Sequence, residues 1–200
     1  MVATEPINQL HESEKRWFAV YTRYKREKRV LSALQQKGID AYLPLLKLTR
    51  HYTRKIKKVE LPLINCYLFV QIVREEYLSV LETEEVVGFL KIGKNLISIP
   101  EQEINIMKKV VGEQLEVEVH PGLVQKGAKV EVIGGQLTGL KGKLHEIKNE
   151  KNFSIELERM GYSIFMEVDP KYLKIIEAGA HPATESEKVA QKANNWSIKI

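Results

Sequence analysis

The segment Leu63–Val73, LINCYLFVQIV, is the most strand-like stretch of this chain. It contains no charged residue, and its density of branched and aromatic side chains predicts a strand near the middle of a sheet. Alternate residues of a strand point to opposite faces, and one face here is entirely apolar: Ile64, Cys66, Leu68, Val70 and Ile72. The other face mixes aromatic residues with amides: Leu63, Asn65, Tyr67, Phe69, Gln71 and Val73. Such a mixture suits a surface that a partner covers, and the alternative is that helices of the same chain bury both faces.

The segments around this strand alternate between strand and helix patterns. Residues 17–22, WFAVYT, form a short apolar strand, and residues 24–37 form an amphipathic helix with Gly38 at its C-cap. Residues 39–48 form a strand that Pro44 interrupts, and residues 50–58 form a basic loop. A second helix, a fourth strand and a third helix follow, at residues 75–84, 86–92 and from about 101. This βαββαβ order predicts a ferredoxin-like α+β sandwich.

The second half of the chain has a different pattern. Residues 113–121 are polar and acidic, and we interpret them as a linker. Beyond them glycines are frequent, and five short strands are predicted, over residues 129–133, 142–147, 153–157, 164–168 and 173–176. Such closely spaced short strands predict a small all-β barrel of the SH3-like type. The predicted organisation is an N-terminal domain over residues 15–112, the linker, a barrel domain over residues 122–177 and a tail over residues 178–200.

The composition excludes several classes of protein. The single cysteine among 200 residues excludes an internal disulfide framework and fits a reducing compartment. The first fourteen residues contain three Glu and no apolar run, so no signal peptide is expected. No stretch approaches the length of a membrane span. We therefore expect a cytoplasmic protein that does not bind membranes.

No group of residues indicates catalysis. The five His are scattered without partners at metal-ligand spacing, so neither a metal site nor a cofactor is expected. Cys66, on the apolar face of its strand, is expected to act as a small hydrophobic residue. Residues 134–143, GGQLTGLKGK, superficially resemble a phosphate-binding loop, but they lack the Gly-Lys-Ser/Thr ending and join two strands. A phosphate-handling enzyme is therefore the least favoured hypothesis, and we expect no enzymatic activity.

Positive charge is concentrated in one part of the chain. The net charge is +5, but residues 15–58 contain fourteen Lys or Arg and two acidic residues, a balance of +12, and the remainder sums to −7. The first helix and the turn before it carry five of these cations, and few acidic residues stand at i, i+4 spacing to them: Arg23, Lys25, Arg26, Lys28 and Arg29. This pattern favours contact with a nucleic-acid backbone. Residues 122–177 contain nine basic and eight acidic residues, which favours a protein-binding module.

Several motifs resemble those of one protein family. Residues 126–144, KGAKVEVIGGQLTGLKGKL, resemble a KOW motif, in which a glycine turn joins two strands. Upstream, the segments WFAVYT, YLPLL, NCYLFVQI and VVGFLKIG resemble the N-terminal domain of NusG-type transcription factors. The motifs follow the order of the family and span residues 16–177. A KOW motif alone occurs in several ribosomal proteins, whereas the combination is specific to this family.

The resemblance implies a partner and two binding surfaces. In this family the N-terminal domain binds RNA polymerase on the clamp helices of the largest subunit and suppresses pausing, while the barrel recruits other machinery. Matched to the family pattern, the polymerase-binding residues are Tyr67, Phe69, Phe89 and Ile92. Arg23, Lys25 and Arg26 match positions that contact the non-template DNA strand in RfaH-type members, and Lys28 and Arg29 belong to the same predicted surface. We expect the protein to act as a monomer.

Two departures from the general pattern point to a specialised member. The chain has Asn65-Cys66-Tyr67 where many general factors have Pro-Gly-Tyr, which is closer to specialised paralogues. Met160 stands where general NusG proteins often have an aromatic residue that contacts the termination factor Rho or a ribosomal protein. We therefore favour an antiterminator of the RfaH or UpxY type that acts on particular operons. The alternatives are a general NusG-type factor that couples transcription to Rho or the ribosome, and a ribosome-associated KOW protein that binds RNA.

Overall fold

The first half of the protein combines a central sheet with three helices. The structure, a computed structural model, describes residues 7–52, 55–112, 117–122, 127–135, 137–147 and 150–177. In chain order, the elements of the first half are β1 Arg16–Thr22, α1 Glu27–Gln36, β2 Asp40–Tyr42, β3 Leu45–Tyr52, β4 Lys55–Pro62, β5 Tyr67–Ile72, α2 Glu76–Leu81, β6 Val86–Phe89, β7 Lys91–Ile92, β8 Asn95–Leu96 and α3 Glu101–Gly112. We refer to residues 7–112 as the N-terminal domain.

The main sheet has the strand order β2-β5-β1-β6. All neighbouring strands in it are antiparallel, and β5 and β1 form its centre, paired from Arg16↔Ile72 to Tyr21↔Tyr67. Helix α1 connects β1 to β2, and α2 connects β5 to β6. This arrangement of strands and helices is that of a ferredoxin-like sandwich, so the predicted α+β class is confirmed.

One face of the main sheet forms a core with α1 and α2. Leu68 and Val70 of β5 are fully buried there against Val30 and Leu34, which are four residues apart on α1 and therefore share one side of the helix. Gly38, with a φ of 74°, ends this helix as its sequence predicts. The alternation therefore assigns Leu68, Val70 and Ile72 to this face correctly, whereas Ile64 packs in the other apolar cluster and Cys66 lies in the turn before the strand.

Three predicted elements of the first half differ from the structure. The strand predicted over residues 86–92 is divided into β6, in the main sheet, and β7, outside it. The predicted basic loop over residues 50–58 belongs to a long hairpin, because β3 and β4 pair from Leu45↔Pro62 to Tyr52↔Lys55; residues 53–54 lie outside the described chain. Leu46 is buried and Leu48 packs beside it, so the hairpin is fixed by packing at its base. The strand predicted from residue 63 begins only at Tyr67, because Cys66 has a φ of 65° and turns the chain.

The second half forms a six-stranded antiparallel sheet, which we call the C-terminal domain (residues 117–177). Its strands are β9 Val117–Pro121, β10 Ala128–Val132, β11 Lys141–Ile147, β12 Glu150–Leu157, β13 Tyr162–Glu167 and β14 Leu173–Glu177, in the order β14-β10-β11-β12-β13-β9. The five predicted strands are therefore present, and a short 3₁₀ helix, Pro170–Tyr172, precedes the last. The tail, residues 178–200, lies outside the described chain.

Strand β9 corrects the predicted linker. It lies within residues 113–121 and pairs with β13, from Tyr162↔Pro121 to Met166↔Val117. Its sequence VEVHP alternates Val with polar residues, and Val117 and Val119 pack on the core while Glu118 does not. Only residues 113–116 of the predicted linker lie outside the described residues. No helix within the described ranges is long and apolar enough to cross a membrane.

Candidate functional site

The second face of the main sheet carries aromatic residues. Because directly opposed residues of antiparallel strands share a face, the pairs Ala19↔Phe69 and Tyr21↔Tyr67 place these side chains together. The ring centroids of Tyr21 and Tyr67 are 4.9 Å apart, in an edge-to-face arrangement. The structure therefore brings Tyr67 and Phe69 onto one face, as the sequence alternation predicts. We call this surface the aromatic face, made of Trp17, Ala19, Tyr21, Tyr42, Tyr67 and Phe69.

The chain itself covers part of the aromatic face, whereas Tyr21 is 42% exposed. Phe69 has no exposed surface. It belongs to one contiguous apolar cluster that joins the sheet to α3 and to the C-terminal domain, with the buried members Ile104, Met107, Val110, Leu137, Leu140, Phe153, Leu157, Met160 and Ile164 among them. Both faces of β5 are thus buried within the chain, which was the alternative considered from the sequence. On the aromatic face, however, the covering groups come from α3 together with the C-terminal domain.

Tyr67 contacts the C-terminal domain directly. The centroid of its ring lies 6.2 Å from that of Tyr162, with the ring planes at 74°. Burial, followed by the neighbouring phenols of Tyr162 and Tyr21, raises the pKa of Tyr67 to about 12. Three tyrosines therefore form a continuous row that begins on β1 and ends on β13.

Among the described residues, two side-chain hydrogen bonds join α3 to the C-terminal domain. Oε1 of Glu103 accepts the backbone N–H of Arg159 at 3.0 Å. Nζ of Lys109 donates to the carbonyl oxygen of Thr138 at 3.2 Å. Glu103 is only 7% exposed, and burial raises the pKa of its carboxyl. This closed arrangement of the two domains is therefore held by apolar burial and by a small number of polar contacts.

Phe89 and Ile92 do not join Tyr67 and Phe69. Phe89 pairs with Val20, whose side chain faces α1 and α2, so Phe89 lies on the helix-covered face. There its ring stacks on Tyr77 at 4.7 Å between centroids. Ile92 is 50% exposed in the short strand β7, outside the main sheet. The expectation that all four residues form one patch is corrected for Phe89 by the register of β6.

Sequence reasoning missed a cation on the aromatic face. Nζ of Lys108, on α3, lies 5.6 Å from the ring centroids of both Trp17 and Tyr42. The hydroxyl of Tyr42 is buried without a hydrogen-bond partner in the described part of the chain, and burial raises its pKa to about 12. This part of the aromatic face could be predicted from the alternation of WFAVYT, which puts Trp17 and Tyr21 on one side of the strand.

The five predicted DNA-binding cations lie at the end of β1 and on the start of α1. We call them the basic surface: Arg23, Lys25, Arg26, Lys28 and Arg29. All five are exposed, and the neighbouring Tyr24 is 64% exposed, with Nζ of Lys25 lying 5.0 Å from its ring centroid. The structure therefore brings the predicted residues together, beside an aromatic ring on which a base could stack.

Acidic residues from other elements partly neutralise the basic surface. Arg29 pairs with Glu84 at 2.7 Å, and Lys28 with Glu60 at 3.0 Å. The carboxylate of Glu85, largely buried, lies within 4 Å of guanidinium nitrogens of Arg23, Arg26 and Arg29. The hydrogen bond from Lys28 lowers the pKa of Glu60. These partners are distant in sequence, so helix spacing alone could not predict them.

No described group of residues has the composition of a metal site. Within the described ranges, no cluster of three or more His, Cys, Asp or Glu is arranged to hold a metal ion. Cys66 lies in the turn before β5, and its backbone N–H donates to Oε1 of the buried Glu27 at 2.8 Å. Burial, followed by the charge of Glu27, raises the pKa of the Cys66 thiol, which disfavours its reactive thiolate form.

Comparisons with known proteins find similarity to one family of transcription factors. The family model described as transcription termination factor NusG matches residues 15–108. A solved structure of NusG from Thermotoga maritima, described as a domain interaction, is 21% identical, covers 82% of this chain and 98% of that chain, and has a TM-score of 0.51. The MjSpt4:Spt5 complex in conformation A is 19% identical over 81% of this chain and 99% of that chain, with a TM-score of 0.29. No curated protein matches at a significant level.

Proposed function

We propose that this chain, whose residues 15–108 match the NusG family model, is a cytoplasmic, non-enzymatic elongation and antitermination factor of the NusG family. In this proposal the aromatic face binds the clamp helices of the largest RNA polymerase subunit, and the basic surface contacts the non-template DNA strand. Bound in this way, the protein suppresses pausing or termination. The motif Asn65-Cys66-Tyr67 supports action on particular operons, as in specialised paralogues.

This proposal rests mainly on which part of the chain covers Phe69 and Tyr67. The opposite face of the sheet is covered by α1 and α2, which are part of the sandwich itself. The aromatic face is covered in part by a domain that folds around its own six-stranded sheet. A surface of this kind can exchange one apolar partner for another, because both bury the same rings. Polymerase binding therefore requires displacement of the C-terminal domain.

The basic surface supports the second contact. It begins two residues after Tyr21, so a partner on the aromatic face lies close to these cations. Exposed ion pairs such as Lys28–Glu60 contribute little stability, and a polyanion can therefore replace their carboxylates. The exposed ring of Tyr24 adds a stacking platform that suits a single strand better than a duplex.

The contact between Tyr67 and Tyr162 allows a test with opposite expected outcomes. Tyr67→Ala removes a ring from the proposed polymerase surface and should weaken binding to RNA polymerase by about 2 kcal/mol, roughly thirtyfold. Tyr162→Ala removes the other ring of the same pair and leaves the N-terminal domain intact. It should strengthen binding severalfold, because closure then competes less well. Affinity for purified polymerase, measured by fluorescence anisotropy of the labelled full chain, distinguishes the two.

Tyr24→Ala is the matched control, since it removes an exposed tyrosine of the N-terminal domain that is not part of the aromatic face. It should leave the affinity for polymerase without nucleic acid unchanged. Equal effects of Tyr67→Ala and Tyr162→Ala, in either direction, would contradict the proposed surface, because they would show that only the contact between the domains matters.

A further inference from the structure

Glu103 is a buried carboxylate at the contact between the two domains. It lies in the first turn of α3, and Oε1 accepts the backbone N–H of Arg159 at 3.0 Å. Oε2 is buried and has no hydrogen-bond partner in the described part of the chain. An ionised carboxylate prefers several donors, so removing it from water with one donor costs free energy that the single bond offsets only in part. The residue is thus an unfavourable element within a largely apolar contact.

The surroundings of Glu103 offer little compensation. On its own helix, the positions three and four residues further along are Ile106 and Met107, which carry no charge. The charged groups that face it from the C-terminal domain are Glu158, which raises its pKa, and Arg159, which lowers it. The start of α3 favours the ionised form, but burial is the largest influence and raises the pKa.

We propose that Glu103 limits the stability of the closed arrangement and thereby keeps the C-terminal domain releasable. The apolar cluster and the Lys109–Thr138 hydrogen bond favour closure, whereas the poorly solvated carboxylate opposes it. When the C-terminal domain leaves, both oxygens of Glu103 regain water at the start of an exposed helix. That this release gives access to polymerase rests on the proposed function, whereas the closure equilibrium itself does not.

The proposal predicts a pH dependence of closure with a defined sign. The pKa of Glu103 is raised in the closed form and ordinary in the open form, so the closed form binds the proton more tightly. Protonation therefore favours closure, and this contribution is fully present below the ordinary pKa of a glutamate. It is lost as the pH rises through the raised pKa of the closed form. Closure should be tightest in mild acid and weakest at neutral pH.

The experiment measures closure directly, in the full chain and without polymerase. Spin labels on Leu78→Cys and Ile175→Cys, in a Cys66→Ser background, report the distance between the domains by pulsed electron paramagnetic resonance; both labelled positions are exposed. The closed fraction of this reference protein should fall as the pH is raised from about 5 to about 8. Glu103→Gln keeps the Oε1 acceptor and removes the charge. It should raise the closed-to-open ratio at neutral pH by about threefold or more and abolish the pH response.

Glu101→Gln is the matched control, because Glu101 lies in the same helical turn and is exposed. It should leave the closed fraction and its pH response as they are in the reference protein. The proposal is overturned if Glu103→Gln opens the protein or leaves it unchanged, since the carboxylate would then stabilise the contact or be irrelevant to it. A reference protein without any closed population overturns it as well. A normal closure equilibrium with no binding to polymerase would instead reject the proposed function alone.

Discussion

Gly142 on β11 occupies a position that no side chain fits. A Cβ atom built there would collide with the backbone oxygen of Ser154 and would lie 2.6 Å from Cε2 of the buried Phe153 ring. Both of these residues belong to β12, the neighbouring strand, which pairs along β11 through Lys143↔Ser154. The close approach of the two strands, rather than a special backbone angle, therefore requires glycine here.

Gly142→Ala should destabilise the C-terminal domain by about 1–3 kcal/mol, because the new methyl group forces Phe153 or the strand backbone to move. The free energy of unfolding, measured by chemical denaturation of the full chain, checks this. Gly112→Ala is the matched control: this glycine ends α3, and nothing lies within 4 Å of the added atom. The control should be neutral or stabilising by roughly 0.5–1 kcal/mol. Equal midpoints for the two variants would contradict the packing argument.

Phe89 shows what alternation within one strand cannot determine. The pattern of β5 correctly separates Leu68 from Phe69, because an apolar set and a mixed set are both present in one long run. β6 is only four residues long, and its register against β1 shifts between Tyr21 and Thr22. Which of its residues shares a face with Tyr67 depends on this register, and register is a property of the pair of strands rather than of either sequence.

At the scale of elements, long periodic segments could be predicted and short or paired ones could not. β1, β5 and the five strands first predicted in the second half have clear apolar alternation or turn signals. β9 resembles a linker because its alternation extends over only five residues, and its pairing with β13 makes it a strand. The hairpin of β3 and β4 resembles a basic loop because cationic residues are frequent in it. In both cases a partner strand supplies the hydrogen bonds: β9 pairs with the distant β13, and β3 pairs with β4, which follows it directly.

Glu85 sets the charge that the basic surface presents. Its carboxylate is near three arginines, so it cancels part of the field that would attract a polyanion. Glu85→Gln should therefore raise the affinity for single-stranded DNA and steepen its dependence on salt concentration, because more cations become available to displace counterions. Binding of a fluorescent oligonucleotide at several salt concentrations measures both quantities.

Glu84→Gln is the control for this prediction, since Glu84 is exposed and pairs only with Arg29 among the described residues. This substitution should raise the affinity for single-stranded DNA less than Glu85→Gln does. The complementary variant, in which Arg23, Lys25 and Arg26 are changed to Ala, should weaken binding and flatten the logarithmic salt slope by about 2 for a single strand. An unchanged slope in that variant would place the DNA contact elsewhere.

Across the full protein, the two domains share one apolar cluster. Each domain has a hydrogen-bonded sheet of its own, and no strand of one sheet pairs with the other in the described ranges. The contact between them is made by side chains such as Phe69 and Met160, whose apolar character is equally consistent with a partner protein. Sequence alone therefore predicts that these residues are covered, but it cannot say whether the cover comes from the same chain.

A chain whose domains cannot separate should fail to bind polymerase. Lys109 and Thr138 face each other across the contact, with Nζ of Lys109 at 3.2 Å from the carbonyl oxygen of Thr138. In a Cys66→Ser background, Lys109→Cys and Thr138→Cys can be joined by a short, cleavable thiol cross-linker. The joined chain should lose its affinity for RNA polymerase, because Tyr67 and Phe69 stay covered, and cleavage should restore it. The same variant treated with a monofunctional thiol reagent controls for the substitutions themselves. Full binding by the joined chain would mean that polymerase uses a surface other than the aromatic face.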